Sequence, residues 1–250
     1  MVDLVSIITP AYRAAKYVDR AITSVQQQTY PHWEMIVTDD CSPDETREIV
    51  TRYAEQDRRV KLIAQSTNQG PAMARNASLQ RAQGRFIAFL DSDDWWLSTK
   101  LERQLDSMRC SGAALSYTQF RRVDQDGENE GRLIKVPDRL TYRVLLGNTA
   151  IATSTAIVDR KQTGDFQMAK TYYDDFALWL RLLREGYVAR ALHEDLMRYR
   201  VLQGSVSRSK VNSAMKVWST YREVEGLSVA RSSIHFSRYA CNALLKYARF

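Results

Sequence analysis

Four short apolar runs, Val5 to Thr9, Trp33 to Thr38, Val60 to Ala64 and Phe86 to Leu90, punctuate the start of the chain, with stretches of helical periodicity between them. Tyr17, Val18, Ala21, Ile22 and Val25 share one helical face after the first run, and Pro71 to Ala82 reads as a helix after the third. After the second run Ser42 can cap, Pro43 suits a first helical position and Glu45 can close a capping box, so a helix is expected to start there. Repeated βα units of this kind predict an α/β fold with a mostly parallel central sheet flanked by helices.

The second half is less regular. Ala113 to Val123 reads as extended, Asp126-Gly127 as a hairpin turn and Arg132 to Val136 as the returning strand, which gives a small antiparallel part. Helices are expected at Tyr142 to Leu146 and Asp175 to Arg184, the latter ended by Gly186, and two further strands at Tyr187 to Leu192 and Leu196 to Val201. Beyond Ser209 the pattern is helical, with a long segment from Ser228 to Arg249. There Arg231, His235, Arg238, Asn242, Lys246 and Arg249 form one arc, and Ile234, Phe236, Tyr239, Leu244, Leu245 and Tyr247 cover the rest. Such a helix suits either an anionic membrane interface or packing on the domain with its basic face outward.

Ligands of parallel sheets bind outside the carboxyl ends of the strands, and Pro10, Asp39, Asp40 and Asp91 all fall just after a strand. Asp91, Asp93 and Asp94 crowd three carboxylates into four positions. Their repulsion is relieved either by a hard divalent cation, completed by water and phosphate oxygens, or by a turn that caps the following helix. With Ser42 available as a cap, Asp39 and Asp40 are free to accept hydrogen bonds from a uracil ring nitrogen or a ribose hydroxyl. Asn68-Gln69-Gly70-Pro71 turns into a helix whose Arg75 could meet a diphosphate. Asp174 and Asp175 head a helix among aromatic residues; they favour the helix start, or one of them acts as a general base with raised proton affinity.

A net charge of +7 favours anionic partners. Nucleic acid is not expected among them, because no basic run interleaves with aromatics and no zinc-finger spacing or fixed-period repeat occurs. Cys41, Cys110 and Cys241 fit a reducing compartment and neither a disulfide framework nor a zinc cluster. No segment approaches the ~20 apolar residues of a membrane span and the start lacks a leader pattern, so the chain reads as cytoplasmic.

Val5 to Tyr12, Val37 to Asp44, Asn68 to Asn76, Gly84 to Trp96 and Asp174 to Leu182 resemble, in order and spacing, the inverting GT-A fold glycosyltransferases of bacterial polysaccharide synthesis, of O-antigen, capsule or teichuronic acid type. The resemblance implies a Rossmann-like sheet in a glycosyltransferase domain over residues 1–208, with a nucleotide-binding half to about residue 98, an acceptor half from 99 to 208, and a C-terminal helical extension over 209–250. It further implies nucleotide contacts at Pro10, Tyr12, Asp39, Asp40, Arg75, Asp91 and Ser92. Asp93, with Asp91, would hold Mn2+ or Mg2+. Asp175 would be the catalytic base, and Asp94, Asp174, Trp179 and Arg200 would face donor or acceptor sugar.

Three positions depart from the family pattern. Cys41 stands where many relatives have glycine, Asp174 replaces the commoner Glu, and Leu202 takes the place of a frequent histidine. Arg200, Ser205 or Ser207 would then compensate for that histidine, or Asp93 and phosphate alone would hold the metal. The expected activity is metal-dependent, inverting transfer of a hexose from a UDP-sugar to a lipid-linked or oligosaccharide acceptor. A peripheral position at the inner face of the bacterial membrane would follow, through residues 228–250. The alternatives are a sugar nucleotidyltransferase or a catalytically silent nucleotide-sugar or glycan-binding partner; the sequence leaves the oligomeric state open.

Overall fold

The computed structural model describes residues 3–171, 173–202 and 210–248. Side chains of the last stretch are described over residues 212–242. The elements run β1 (Val5–Ala11), α1 (Val18–Gln26), β2 (Trp33–Asp39), α2 (Thr46–Gln56), β3 (Val60–Ala64), α3 (Pro71–Arg81), β4 (Phe86–Phe89), β5 (Trp95–Trp96) and α4 (Lys100–Ser111). They continue with β6 (Leu115–Val123), β7 (Glu130–Ile134), β8 (Arg139–Leu140), α5 (Tyr142–Leu145), β9 (Ile157–Asp159), α6 (Arg160–Thr163), α7 (Asp174–Arg184), β10 (Ala189–Arg200), α8 (Lys210–Ser219) and α9 (Val229–Ala248).

One sheet in the order β3-β2-β1-β4-β9-β6-β10-β5 organises the chain. The first four strands of that path pair in parallel, as the βα repeats predict, and β9 then inserts antiparallel between β4 and β6. Because β9 pairs with both β4 and β6, the residues before and after about position 98 share a single continuous sheet. Both faces are covered. Ile8, Ile36, Ile87 and Phe89 point to a core closed by α3 and α7, while Ile7, Met35, Val37 and Ala88 point to another closed by α1 and α4. Two-sided burial explains why these strands are continuous apolar runs. Each such Ile, Val, Met or Phe side chain contributes roughly 1.5–3 kcal/mol by leaving water.

Close packing of β1 on the turn before β4 depends on Gly84. A Cβ there would lie 2.5 Å from the Ser6 nitrogen and 2.7 Å from the Leu4 oxygen. The same turn donates the Gly84 N–H to Ser6 Oγ, 2.8 Å away. Gly84→Ala is therefore expected to destabilise the fold by about 2 kcal/mol or more and to lower Tm by about 5 °C, as read by thermal denaturation.

Several expectations need correction. The helix after β2 begins at Thr46, and Ser42 does not cap it: Ser42 Oγ accepts from the Arg13 N–H, and its own N–H donates to Asp39. Cys41, at φ 58°, turns the chain through the left-handed region and delays the helix. The two strands expected after Gly186 are one strand, β10, whose register with β6 slips at two places around Asp195. The acidic run caps no helix, since β5, paired antiparallel with β10, separates it from α4.

The C-terminal helices belong to the main core. Val217 and Tyr221 are fully buried there, and Phe236 and Tyr239 pack against them. The arc drawn for α9 is displaced from that expectation. His235 stacks edge-on to Tyr221, and Asn242 donates to the Gly147 carbonyl at 2.8 Å, so both face the domain. Ile234 instead is 55% exposed. No described helix is long and apolar enough to cross a membrane. Ser205, Ser207, Arg249 and the side chains of Leu244, Leu245, Lys246 and Tyr247 lie outside the described residues.

Candidate active site

The parallel strands deliver their carboxyl ends to one rim. After β1, Pro10 is partly exposed and Tyr12 is 45% exposed, with the Arg13 guanidinium 5.4 Å from its ring centre. After β2, both acids are already engaged, contrary to the expectation that no structural task holds them. Asp39 is fully buried and accepts from Arg47 Nε and Nη2 at 3.1 and 3.0 Å. Asp40 accepts the N–H groups of Gln69 and Gly70 at 2.8 Å each, which fixes the loop leading into α3. Gly70 needs its left-handed φ of 89° to bring Pro71 to the first helical position.

After β4 the acidic run separates into distinct environments. Asp91 is 29% exposed along its side chain; its Oδ1 accepts from Arg75 Nη2 at 2.6 Å and its N–H donates to Ser154 Oγ. Ser92 and Asp93 are partly buried beside it. Burial, and next the Asp91 charge, lift the Asp93 carboxyl to about 6. Asp94 turns inward and is 2% exposed. It accepts from Ser154 Oγ at 2.6 Å and from the Arg200 N–H at 2.9 Å, so its carboxylate braces the turn and does not face a sugar. Burial, with Asp93 and Asp91 nearby, pushes its carboxyl well above the usual range.

Arg200 serves the same turn. Its Nε donates to the Asp93 carbonyl at 2.9 Å and its Nη1 to the Gln125 carbonyl at 2.6 Å, with the guanidinium over the Tyr17 and Trp95 rings. A cation so engaged holds backbone in place.

Opposite the run, Asp174 and Asp175 open α7. Arg75, nearly buried, joins the two sides: Nη1 donates to Asp174 at 2.8 Å while Nη2 holds Asp91. Burial opposes its charge, but Asp91, Asp174 and Asp175 more than offset this and hold its pKa above the ordinary arginine value. Asp175 Oδ1 accepts the N–H of the next residue, Phe176, at 2.7 Å, and Oδ2 accepts from Thr153 Oγ1 at 2.5 Å. Burial, reinforced by Asp174, lifts Asp175 to about 6 against the pull of Thr153 and Arg75. Trp179, one turn on, is only 1% exposed and packs edge-on against Phe89 at 5.5 Å. It is a core residue and does not line an acceptor wall.

The short turn Thr153–Thr155 escaped the sequence reading altogether. Its hydroxyls touch Asp91, Asp94 and Asp175, yet a cluster of Ser and Thr has no spacing signature beyond the run itself.

Among the described residues no group of three or more acidic, His or Cys side chains forms a metal cage. Asp91 and Asp93 nevertheless fit a cation that takes one or two carboxylates and draws its other ligands from phosphate and water. Burial, and next the Asp91 charge, raise the Asp93 carboxyl, and a bound cation would offset both.

Comparison with known proteins shows the family and the fold. The chain is 44% identical over 244 residues, 97% of each chain, to a putative teichuronic acid biosynthesis glycosyltransferase of Bacillus subtilis. It is 36% identical over 217 residues, 86% of this chain and 84% of the other, to an Escherichia coli UDP-Glc:alpha-D-GlcNAc-diphosphoundecaprenol beta-1,3-glucosyltransferase. Staphylococcus aureus TarS, residues 1–349, superposes with a TM-score of 0.68 at 19% identity, covering 96% of this chain and 71% of that one. A Pyrobaculum calidifontis mannosyltransferase in complex with GDP-Man and Mn2+ superposes at 0.69 with 16% identity, covering 98% and 75%. The model of glycosyl transferase family 2 matches residues 6–163. With more than half its length in that match and relatives aligned almost end to end, the chain belongs to glycosyl transferase family 2 and is a glycosyltransferase of the GT-A fold.

Proposed function

We propose that the protein transfers glucose, or a hexose of that type, from a UDP-sugar to a hydroxyl of a lipid-linked glycan, with inversion at the anomeric carbon. The supporting observation is the Arg75 bridge, which sets the Asp91 side of the rim and the Asp174-Asp175 side around one guanidinium. Donor diphosphate and acceptor hydroxyl would thus meet between them. The named specificity of the Escherichia coli relative supports the donor and the lipid-linked acceptor.

In this reading the nucleoside lies against Pro10 and Tyr12, on the rim that Asp39 and Asp40 brace. Asp175 accepts the proton of the acceptor hydroxyl as that oxygen attacks the anomeric carbon from the face opposite UDP. A carboxyl lifted to about 6 is well matched to that task, ionised at neutral pH yet more basic than an ordinary aspartate. Asp91 and Asp93 would hold Mn2+ or Mg2+, which supplies positive charge to stabilise the leaving diphosphate. Holding donor and acceptor in line removes much of the entropic barrier.

Incubation with UDP-glucose, manganese and a synthetic lipid-diphosphate-GlcNAc acceptor tests the reading. Release of UDP with formation of a disaccharide-lipid is expected. Conversion of UDP-glucose and added pyrophosphate to UTP and glucose 1-phosphate, or donor binding without any product across a panel of UDP-sugars, contradicts it.

Lipid-linked acceptors place the enzyme at a membrane surface. Ile234 on α9, 55% exposed, shares one helical arc with Arg231 and Arg238, which are also exposed, a combination suited to an anionic interface. Replacing Ile234 by Asp is expected to lower co-sedimentation with phosphatidylglycerol vesicles several-fold; unchanged binding would remove this face of α9 from that role.

A further inference from the structure

The Thr153–Thr155 turn touches both sides of the site through consecutive residues. Ser154 Oγ donates to Asp94 at 2.6 Å and accepts the Asp91 N–H at 3.1 Å, gripping the acidic run. Thr153, only 7% exposed, donates to Asp175 Oδ2 at 2.5 Å. The turn itself is anchored, since Trp96 Nε1 and Gln104 Nε2 donate to the Ser154 and Thr155 carbonyls at 2.8 and 3.0 Å. Side chains on either flank therefore cannot move apart without breaking bonds to one buried, fixed backbone segment.

We propose that Thr153 is a positioning residue for sugar transfer: its hydroxyl fixes one oxygen of Asp175 and, through the adjoining Ser154, holds that carboxylate at a set separation from the Asp91 to Asp94 run. This rests on the reading of Asp175 as the base. The chemistry is specific. With the Phe176 N–H on Oδ1 and the Thr153 hydroxyl on Oδ2, the carboxylate cannot rotate, and its unused lone pairs keep one direction for an acceptor proton. A hydrogen bond donated to the charged form also favours that form. The charged and titratable groups around Asp175 are Arg75 from α3, Asp174 at its side and Tyr173 at the head of α7. Arg75 also favours the charged form, whereas Asp174 opposes it. Neither touches Oδ2, so the contribution of Thr153 can be separated from theirs by removing the hydroxyl alone.

The test follows the aspartate carboxyl carbons by 13C NMR during a pH titration, with the Asp175 resonance identified by its absence in Asp175→Asn. Thr153→Val, close in shape, and Thr153→Ala, which avoids crowding, should raise the Asp175 midpoint above about 6 by roughly half to one unit. Thr153→Ser should restore it. In turnover of UDP-glucose with the lipid-diphosphate-GlcNAc acceptor, the acid limb of kcat/KM should shift by the same amount in the Val and Ala variants. Their kcat should fall about tenfold with KM for UDP-glucose unchanged, the signature of an interaction used only in the chemical step. A merely structural threonine would lower Tm and leave the midpoint and the limb in place. Folded Val or Ala variants with an unmoved midpoint overturn the proposal alone, whereas full transfer by Asp175→Asn overturns the base reading and the positioning role with it.

Discussion

Asp175→Asn is expected to lower transfer by about 10³-fold or more while UDP-sugar binding stays within a factor of about two. The same variant should be more stable than the parent at neutral pH, because Asp175 carries opposite burdens in folding and in catalysis. Its carboxyl is lifted from 3.8 to about 6 in the fold, so the folded state binds its proton more tightly than the unfolded one. Ionising it therefore costs stability. That cost is fully present above pH 6, shrinks as the pH falls through the window between about 6 and 4, and is gone below the unfolded value. Asparagine removes the charge at every pH, so its advantage should be about 1–3 kcal/mol at pH 7.5 and fade towards pH 4. Isothermal titration with UDP and thermal melts at several pH values give both halves of the result. A variant that is inactive but no more stable at pH 7.5 would mean that the buried charge is already compensated in the fold.

Asp93→Ala should act on the other side of the site. Loss of this carboxylate is expected to weaken manganese-dependent UDP binding by about 100-fold or more, with little effect on UDP binding measured in the presence of a chelator. Asp93 too has a lifted carboxyl, so its removal should not unfold the protein. Titration calorimetry with and without manganese separates the two contributions. Equal UDP affinity in parent and variant would take Asp93 out of the metal site. The two substitutions thus divide the rim: one abolishes turnover while binding is retained, and the other weakens binding itself.

Legibility of the fold follows from periodicity. β1, β2 and β4 are buried on both faces and announce themselves as apolar runs, while the helices between the strands show a buried stripe at helical period. β9 and β5, with three and two residues, are too short to carry a period, although β9 joins the halves of the sheet. In β10 the interruption around Asp195 looked like a break in the strand, and it is a slip of register.

Side-chain direction explains the rest. The family resemblance assigned Asp91, Arg75, Asp174 and Asp175 to one site, and the structure joins Asp91 and Asp174 through Arg75, yet sequence could not show that Asp94 and Trp179 turn inward or that Arg200 Nε and Nη1 donate to backbone carbonyls. Cys41 is instructive in the other direction. The position where many relatives have glycine does adopt a left-handed φ of 58°, the conformation that favours that residue. Ser42 resembled a cap, but Asp39 captures its N–H and holds the chain in a turn before α2 can begin. Thr153 and Ser154 were invisible because hydroxyls that serve other side chains leave no pattern in sequence.

The anomeric configuration of the product tests the proposed mechanism most directly. With UDP-glucose, whose sugar is α-linked, and the lipid-diphosphate-GlcNAc acceptor, NMR of the purified product should show a β-glucosidic linkage, as direct attack assisted by Asp175 requires. An α linkage, or conversion of UDP-glucose and added pyrophosphate to UTP and glucose 1-phosphate in place of glycoside formation, would contradict a single inverting displacement at this site.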